Sequence, residues 1–399
     1  MALWEPKPSV EDSDSTRPEQ CGKRELTLSR TPAYIPRPIQ FLASSRRKMR
    51  RLTRGLIMDD AILPLRAVPK QQVVDYLGRR GMSGEVVEWK YFDESFNRGR
   101  ERGYVWMRAG DVQGFIGLIP WSVQRGNERL EMVWGCDWSV ADPNLSKGMG
   151  LVLATHSMSL HRPWISLGGS AKARTIMPHL CHHKVDDAGL VFWQPLRLGA
   201  ALKKLGERNR LAQWLEGTFL RTVPVRWVAR PSSHRPDIIT ESGLSPVVSD
   251  LIEHEHFSEW HPHHRLEDLA WSLGRCPSIT TRTCYIRGLS GVDAAAVLWR
   301  NSQAADFWKV TLWAAPMRHS LLADLLHEVR WQVFQEGGVA ISTLVSHLQT
   351  DLIEQLQTSG YWRQPRPLPM YLVGERKQTL PFLDMTGLSY LCTDLAYRF

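Results

Sequence analysis

The segment RLEMVWGCDWSVADPNLSKGMGLVLATHSMSL, residues 129–160, decides the fold of this chain. Its first twelve residues combine apolar and aromatic side chains in a short run, which predicts a β-strand over residues 129–140. A polar loop with two glycines, Gly148 and Gly150, follows and leads into an apolar helical stretch. A strand that enters a helix through such a loop needs a crossover to a parallel strand, so the segment predicts a mixed sheet.

The sequence on both sides of this segment alternates between strand-like and helix-like patterns. Two upstream strands and strand 129–140 follow one another in hairpin order and predict an antiparallel meander, with turns at residues 109–111 and 125–127. The predicted elements of the first half are strands 62–68, 103–108, 112–123, 129–140, 164–170 and 189–196 and helices 70–81, 151–160 and 171–180. This alternation is typical of α/β architecture.

The second half repeats the same layout at a distance of roughly 180 residues. Its predicted elements are strands 278–289, 293–302, 305–316 and 338–346 and helices 320–335 and 347–360. Two copies of one layout indicate a duplication. The sequence therefore predicts a disordered basic tail over residues 1–57, a first domain over 58–198, a helical linker over 199–250 and a degenerate second domain over 251–399.

The composition is that of an ordinary globular protein. Of the 399 residues, 43% are hydrophobic and 23% are charged, which disfavours both a disordered chain and a membrane protein. No apolar run approaches the roughly 18 residues that a membrane span needs. The six cysteines are scattered singly without a CxxC pair, as in proteins of a reducing compartment. We therefore expect a cytoplasmic protein with no membrane partner.

The net charge of +9 is concentrated near the N-terminus. Residues 1–57 hold twelve Lys or Arg and six Asp or Glu, so they carry six of the nine excess positive charges. Much of this charge lies in SSRRKMRRLTR, residues 44–54, inside a stretch without apolar periodicity. A solvated tail or upstream translated sequence is the favoured interpretation, and an arm that binds RNA or a membrane surface is the alternative. Nucleic acid is thus an unlikely partner.

The layout resembles the GNAT superfamily of acyl-CoA-dependent N-acyltransferases over most of residues 60–398, as two tandem copies. In that family a strand splays from its neighbour, a bulge and a proline follow, and a loop of the form Q/R-x-x-G-x-G/A opens a helix. Here strand 129–140, Pro143, Gly148 and Gly150 match this pattern. The resemblance implies a mixed, mostly antiparallel sheet flanked by helices in each of two domains, and acetyl-CoA or another acyl-CoA as cosubstrate. The implied acceptor is an amine of a small metabolite, sugar or peptide.

Main-chain groups should hold the coenzyme. A helix N-terminus leaves amides unpaired and carries a partial positive charge, so the amides from Lys147 to about Val152 suit a pyrophosphate. Glycine lets the backbone approach the phosphates closely. The pantetheine amides would add to the splayed strand edge. The expected coenzyme-binding residues are Val140, Leu145, Ser146, Lys147, Gly148, Met149, Gly150 and Leu151.

Two positions depart from the family pattern. Leu145 stands where the family has Gln or Arg, which removes one side-chain contact to phosphate. Met177 stands where many members carry a tyrosine that protonates the departing thiolate. The candidates that could replace this tyrosine are His179, Cys181, His182 and His183, or a water molecule. Of these, His179 enters the predicted catalytic set.

The attacking amine must lose a proton, and the meander strand offers two carboxylates for this step, Glu131 and Asp137. Their spacing of six residues places both on one face of a regular strand unless a bulge intervenes. Glu131 is the first choice as base, and a strand-edge carboxylate without a catalytic part is the alternative. Orientation of the reactants and backbone stabilisation of the oxyanion could supply much of the rate instead.

The second half carries no GxG after its third strand, in MRHSLLADLLHEVRW, residues 317–331. We therefore expect it to bind no coenzyme but to brace the first half and wall an acceptor cleft. Together with Leu145 and Met177, this loss supports the rival hypothesis of a non-catalytic tandem module that serves in interactions. The histidine-rich segment 254–265 matches no zinc pattern, so no metal site is predicted.

Overall fold

The computed structural model describes residues 60–97, 99–141, 148–161, 163–197, 238–253, 261–262, 266–289, 291–302, 306–314, 320–347 and 349–374. Contacts group Ile57–Phe399 into one compact unit. The predicted tail and most of the predicted linker lie outside the described residues, so these two predictions stay untested.

A single sheet of fourteen strands forms the centre of the described structure. The strands are β1 (Asp60–Pro64), β2 (Gly103–Arg108), β3 (Asp111–Arg125), β4 (Glu128–Val140), β5 (Trp164–Leu167), β6 (His183–Pro195), β7 (Ile238–Ser242), β8 (His261–Pro262), β9 (Ile279–Arg287), β10 (Val292–Asn301), β11 (Phe307–Ala314), β12 (Ala340–Ser346), β13 (Trp362–Arg363) and β14 (Leu368–Val373). Their order is β1-β2-β3-β4-β5-β14-β6-β12-β11-β10-β9-β7, with β8 beside β3 and β13 beside β6.

Helices pack on this sheet. The α-helices are α1 (Lys70–Gly78), α2 (Gly84–Val87), α3 (Glu94–Asn97), α4 (Met149–Leu160), α5 (Ala171–Ile176), α6 (Val248–Glu253), α7 (Leu266–Leu269), α8 (Leu321–Gln335) and α9 (Thr350–Thr358). Wider π-type turns at Glu88–Phe92 and Ala270–Gly274 and tight 3-10 turns at Leu65–Ala67 and Met177–His179 complete the helical segments.

The sheet is mixed in the way that the crossover predicts. β4 and β5 are parallel, with α4 between them in the chain, and β11 and β12 are parallel, with α8 between them. The other paired strands, from β1/β2 to β7/β9, are antiparallel. The predicted fold class, a mixed and mostly antiparallel sheet flanked by helices, is thus confirmed.

The two halves of the chain exchange their last strands. β14, from the end of the second half, lies between β5 and β6 of the first half. β6 in turn lies between β14 and β12 of the second half. The sequence predicts a sheet for each half, whereas the structure joins both into one sheet, because each half borrows a strand from the other. The boundaries predicted for the two domains stay predictions.

Both faces of the first half are covered. On one face, Val73 and Tyr76 of α1 pack in the same core as Phe115 and Trp134 of the meander. On the other face, the buried side of α4 packs against residues that alternate with these along the strands. Members of this second core include Leu118, Val133, Leu153, Ala154, Trp164 and Met177. The alternation follows from the two-residue period of a strand.

A stack of aromatic rings joins the two halves. Trp271 of the second half stacks on Trp89, with ring centroids 4.6 Å apart, and on Phe96, with centroids 3.8 Å apart. The Trp89 indole N–H donates to the Trp271 carbonyl at 2.9 Å. The Arg102 guanidinium lies over both partners of one stack, 5.0 Å from Phe96 and 5.3 Å from Trp271. Trp271 itself is 2% exposed.

We expect Trp271→Ala to lower the free energy of unfolding by about 3–5 kcal/mol, the usual cost of deleting a buried tryptophan ring. Urea titration followed by circular dichroism measures this loss. Leu289→Ala is the matched control, because Leu289 is fully exposed and its loss should change stability by less than about 0.5 kcal/mol. Equal stability of the two variants would contradict a structural role for the stack.

Candidate active site

The strands β4 and β5 pair briefly and then diverge. Their pairing comprises Val133 opposite Trp164 and Trp134 opposite Ile165. Beyond these two pairs β5 continues along β14, whereas β4 runs on to Val140. Among the described strands, none pairs with this last part of β4 on its β5 side. Its backbone amides and carbonyls on that edge therefore bond to no described strand. This opening is called the divergence below.

A β-bulge lies in β4 at the divergence. Phe115 faces Ser139 and Gly117 faces Cys136, so two residues of β4 stand against one residue of β3. Asp137, inside the bulge, has a positive φ of 50°. Bulges of this kind turn a side chain to the other face of the sheet. Because the bulge intervenes, Asp137 does not share a face with Glu131 as it would on a regular strand.

The Asp137 carboxylate is held by two side chains of the Glu88–Phe92 turn. Lys90 Nζ lies 2.7 Å from Asp137 Oδ2, and the Tyr91 hydroxyl donates to the same oxygen. The Lys90 side chain is completely buried, and that of Asp137 is 16% exposed. The Tyr91 ring lies against Gly117, where a Cβ would clash with it. An ion pair thus fixes the bulge beside the divergence.

A second tyrosine contacts the last part of β4. The Tyr76 hydroxyl of α1 forms a hydrogen bond of 3.3 Å with Ser139 Oγ. Burial raises the pKa of Tyr76 above its usual value, so the hydroxyl keeps its proton at neutral pH. The side of the bulge that faces α1 is therefore lined by neutral hydroxyls and one ion pair.

Glu131 lies near the start of β4, before the two residues that pair with β5. Its carboxylate is bound by Arg100 at 2.8 Å and by Arg129 at 2.6 Å. Along an extended strand six residues span about 20 Å, so Glu131 is far from Asp137. The structure does not bring Glu131 to the divergence, and its role as base stays a hypothesis that this geometry disfavours.

Helix α4 is the next described element after β4. Gly148 precedes it with φ of 82°, and a Cβ at Gly148 would meet no atom of the described residues within 4 Å. The first helical hydrogen bond runs from the Val152 amide to the Gly148 carbonyl at 3.0 Å, so the three preceding amides lack helical partners. The amides of Met149, Gly150 and Leu151 therefore form the N-terminal end of α4.

The start of α4 is tied to the end of β4. The Trp138 indole N–H donates to the Gly150 carbonyl at 2.9 Å, and the Val140 and Trp138 side chains lie about 3.5 Å from a Cβ placed on Gly150. Val140, Gly148, Met149, Gly150 and Leu151 are thus brought together at the divergence. The other predicted coenzyme-binding residues, Leu145, Ser146 and Lys147, lie outside the described residues.

The candidates for proton donation lie around a short turn after α5. His179 is exposed at the end of this turn. Met177 is 3% exposed and packs in the core beneath α4. Cys181 is half-buried, and this burial raises the pKa of its thiol, which keeps it protonated. No contact described here links His179 to the divergence, so its catalytic role stays a hypothesis.

The second half repeats the divergence without the glycines. β11 and β12 pair from Phe307 opposite Ala340 to Val310 opposite Thr343, and β11 then runs on to Ala314. Helix α8 follows with Ser320 at its N-cap and without a glycine in its first turn. The loop between them, residues 315–319, lies outside the described part of the chain.

Sequence reasoning missed the side chains that hold the bulge. Lys90 and Tyr91 lie in EWKYF, residues 88–92, a segment to which no element was assigned. A lysine flanked by aromatic residues is a signal of burial with a counter-ion, because a buried ammonium needs a carboxylate. The partner, Asp137, is 47 residues further along the chain and could not be found from local sequence.

Across the described ranges, no group of three or more His, Cys, Asp or Glu side chains is close enough to hold a metal ion. Of the histidine-rich segment, only His261 and Pro262 are described, and they pair with β3. No helix in these same ranges has the length and apolar character to cross a membrane.

Several solved structures have a similar fold, whereas no protein-family model and no curated protein matches the chain. Two structures of N-myristoyltransferase from Saccharomyces cerevisiae with bound myristoyl-CoA align at TM-scores of 0.50 and 9% sequence identity. They cover 80% of this chain and 83% and 80% of their own chains. A protein of unknown function from Enterococcus faecalis, described as a probable N-acyltransferase, aligns at a TM-score of 0.49 and 10% identity over 79% of this chain and 72% of its own.

At identities of 9% the similarity concerns the fold. Together with the strand order, the parallel β4/β5 pair and the divergence, it defines the class of fold: a GNAT-type α/β fold with two halves of similar layout. The fold implied by the sequence resemblance is thereby confirmed.

Proposed function

We propose that this chain is an N-acyltransferase that takes its acyl group from an acyl-CoA. One observation carries the proposal: β4 and β5 diverge where the glycine-led start of α4 has three amides without helical partners. A pyrophosphate fits at such amides, and a pantetheine arm fits along an unpaired strand edge. Among the described residues, only the first half has both a diverging parallel strand pair and a glycine at the start of the helix that follows.

The residues of the divergence suit each part of the coenzyme. The amides of Met149, Gly150 and Leu151 would bind the pyrophosphate, and Gly148 leaves room for its oxygens because it has no Cβ. The edge of β4 from Gly135 to Val140 would pair with the pantetheine amides. An acyl-CoA supplies an activated thioester carbonyl. In the transfer, the amine nitrogen bonds to this carbonyl carbon, the C–S bond breaks, and the amine proton passes to a base while the thiolate takes a proton.

Asp137 is the carboxylate that we propose as the base in place of Glu131. It lies in the bulge at the divergence, whereas Glu131 is bound by two arginines beyond the strand pairing. Lys90 and Tyr91 orient the carboxylate through its Oδ2 oxygen, and a carboxylate at this position would accept the amine proton directly or through water. The ion pair also holds the bulge, so a positioning role accompanies the proposed proton transfer.

A short acyl group is the form of cosubstrate that we propose. The Trp164 ring lies on Gly135 at the point where the strands part, and a Cβ at Gly135 would overlap it. Trp164 is 2% exposed, so its ring occupies the base of the divergence. A long chain passing into the sheet at this point would have to displace the indole, whereas an acetyl group would not.

Calorimetric titration with acetyl-CoA and, in parallel, with myristoyl-CoA tests the proposal. We expect saturable binding of acetyl-CoA, with myristoyl-CoA binding no more tightly, since the shared coenzyme part supplies the contacts. Absence of heat for both ligands at millimolar concentration would favour the rival hypothesis of a non-catalytic interaction module. Tighter binding of myristoyl-CoA by more than tenfold would contradict the short acyl group alone.

A further inference from the structure

The indole N–H of Trp164 is buried and lacks a hydrogen-bond partner among the described residues. Trp164 is the first residue of β5 and is 2% exposed. Its Nε1 atom forms no hydrogen bond with any described group. An indole nitrogen can only donate, and a buried donor that stays unpaired costs free energy that a suitable acceptor would recover. An acceptor that reaches this N–H would therefore bind there favourably.

This N–H lies at the base of the divergence. The last β4 residue paired with β5 is Trp134, and Gly135 follows it in the chain. The ring atoms of Trp164 closest to a Cβ placed on Gly135 are Cζ2 and Cε2. Because Cε2 is bonded to Nε1, the ring edge that lies over Gly135 is the edge that carries the N–H. The unpaired donor thus lies where β4 leaves β5.

The position of Trp164 distinguishes it from other tryptophans with a similar N–H. Across the described part of the chain, four more have a buried indole N–H without a partner: Trp106, Trp271, Trp299 and Trp308. Trp106 lies in β2, which β3 separates from β4, and the other three lie in the second half. Trp164 is the one of the five that lies on β5 against Gly135. Its N–H is therefore the one that a coenzyme in the divergence would meet.

The surroundings of the indole are apolar. Trp164 belongs to the core on the α4 face of the sheet, together with Val133, Leu153, Met158 and Val373. In such surroundings a hydrogen bond is electrostatically stronger than in water. Its strength increases further when the acceptor becomes negatively charged. A donor in this place suits an oxygen whose negative charge grows during a reaction.

The coenzyme position proposed above brings the thioester to this donor. The pyrophosphate lies at the Val140 end of β4, because Trp138 and Val140 contact the first turn of α4. The pantetheine arm then runs along β4 toward Gly135, a distance of about 17 Å for five residue steps. The thioester is at the far end of that arm from the pyrophosphate, so its carbonyl oxygen comes to the base of the divergence.

We propose that the Trp164 indole N–H donates a hydrogen bond to the thioester carbonyl oxygen and stabilises the oxyanion formed from it. The proposal rests on the N-acyltransferase function proposed above. When the amine nitrogen bonds to the carbonyl carbon, the π electrons of the C=O bond move to this oxygen, while Trp164 keeps its proton. The C=O bond forms again when the C–S bond breaks and the thiolate leaves. The ring that leaves room for a short acyl group thus also binds its oxygen.

A matched pair of ligands tests this hydrogen bond without an acceptor amine. S-ethyl-CoA has a CH₂ group where acetyl-CoA has the carbonyl group and is otherwise the same molecule. Calorimetric titration of the full chain should show acetyl-CoA bound about tenfold more tightly, the effect of an acceptor that pairs a buried donor. Equal affinity for the two ligands overturns the proposal.

Trp164→Phe removes the N–H and should reduce the preference for acetyl-CoA to less than about twofold. Trp106→Phe is the matched control, because Trp106 is also 2% exposed and also has an N–H without a partner among the described residues. The control should keep the preference of about tenfold. Retention of the preference in Trp164→Phe, or its loss in both variants, overturns the proposal.

A second variant keeps the shape of the ring, since phenylalanine leaves part of the indole volume empty. Benzothienylalanine in place of Trp164 retains two fused rings and has sulfur instead of the N–H. Its preference for acetyl-CoA should match that of Trp164→Phe. With an isotope label on the acetyl carbonyl, the infrared band of the bound ligand should lie at lower frequency in the unchanged protein than in this variant. Identical band positions overturn the proposal, because packing alone would leave the band in place.

The two ligands also separate this proposal from the function on which it rests. If neither acetyl-CoA nor S-ethyl-CoA binds at millimolar concentration, the N-acyltransferase function is overturned, and the role of Trp164 with it. If both bind with equal affinity, the role of Trp164 is overturned and the acyl-CoA site stands.

Discussion

Gly148→Glu is expected to weaken acetyl-CoA binding by at least about 100-fold. The substitution places a carboxylate at the start of α4, where the proposed site presents amides to a pyrophosphate. Repulsion between unit charges about 4 Å apart amounts to about 4 kcal/mol at an intermediate dielectric, and each 1.4 kcal/mol is about tenfold in affinity. The positive φ of 82° adds backbone strain that glycine does not have. Calorimetric titration measures the loss.

Gly243→Glu is the control for this experiment. Gly243 has nearly the same backbone conformation, with φ of 84°, and a Cβ there would also meet no atom within 4 Å. It follows β7, which is the last strand in the sheet order and is separated from β4 by several other strands. The two variants therefore share the strain and the added charge but differ in position. Equal affinity of both variants for acetyl-CoA would remove the start of α4 from the coenzyme site.

Lys90→Met is expected to lower the free energy of unfolding by about 3–5 kcal/mol. The substitution removes the ammonium group from a completely buried position and leaves the Asp137 carboxylate without that cation. Breaking one side of a buried ion pair is costly because the remaining charge stays desolvated. Thermal and urea unfolding measure the effect. Any Lys90→Met protein that stays folded should also lose activity, because the bulge that orients Asp137 is no longer held.

The double variant Lys90→Met/Asp137→Asn distinguishes two causes of the lost stability, the broken ion pair and the lost packing of the lysine side chain. Removing both charges should recover most of the stability lost in Lys90→Met, since no unpaired charge then remains buried. Recovered folding without recovered activity would agree with Asp137 as the base. Additive losses in the double variant would show that the two side chains are not coupled.

Much of the fold could be predicted because its signals are local. The meander, the glycine-led helix and the repeat of the layout follow from turn residues, apolar periodicity and helix boundaries, and the structure has β2, β3, β4 and α4 near their predicted positions. The closing strand of the first half was predicted to begin at residue 189, whereas β6 begins at His183. Residues 183–188 are polar and have no strand-like pattern, and pairing with β14 makes them a strand.

The candidate site could be predicted only in part. The start of α4 was identified because glycines before an apolar helix are recognisable in the sequence. The choice between Glu131 and Asp137 could not be made from the sequence, because it depends on a bulge at one register position between β3 and β4. The ion pair of Lys90 with Asp137 was missed entirely, because these residues are 47 positions apart and meet only in the folded chain.

The sequence by itself determined the class of the fold, the position of the glycine-led helix and the loss of that feature in the second half. These three features depend on the backbone preferences of a few neighbouring residues, and each segment has those preferences whatever the other segments are. The tertiary structure decided the exchange of β6 and β14, the burial of Lys90 against Asp137 and the aromatic stack between the halves. These features join segments far apart in the chain, and their energies come from pairing, desolvation and packing that arise only when those segments meet.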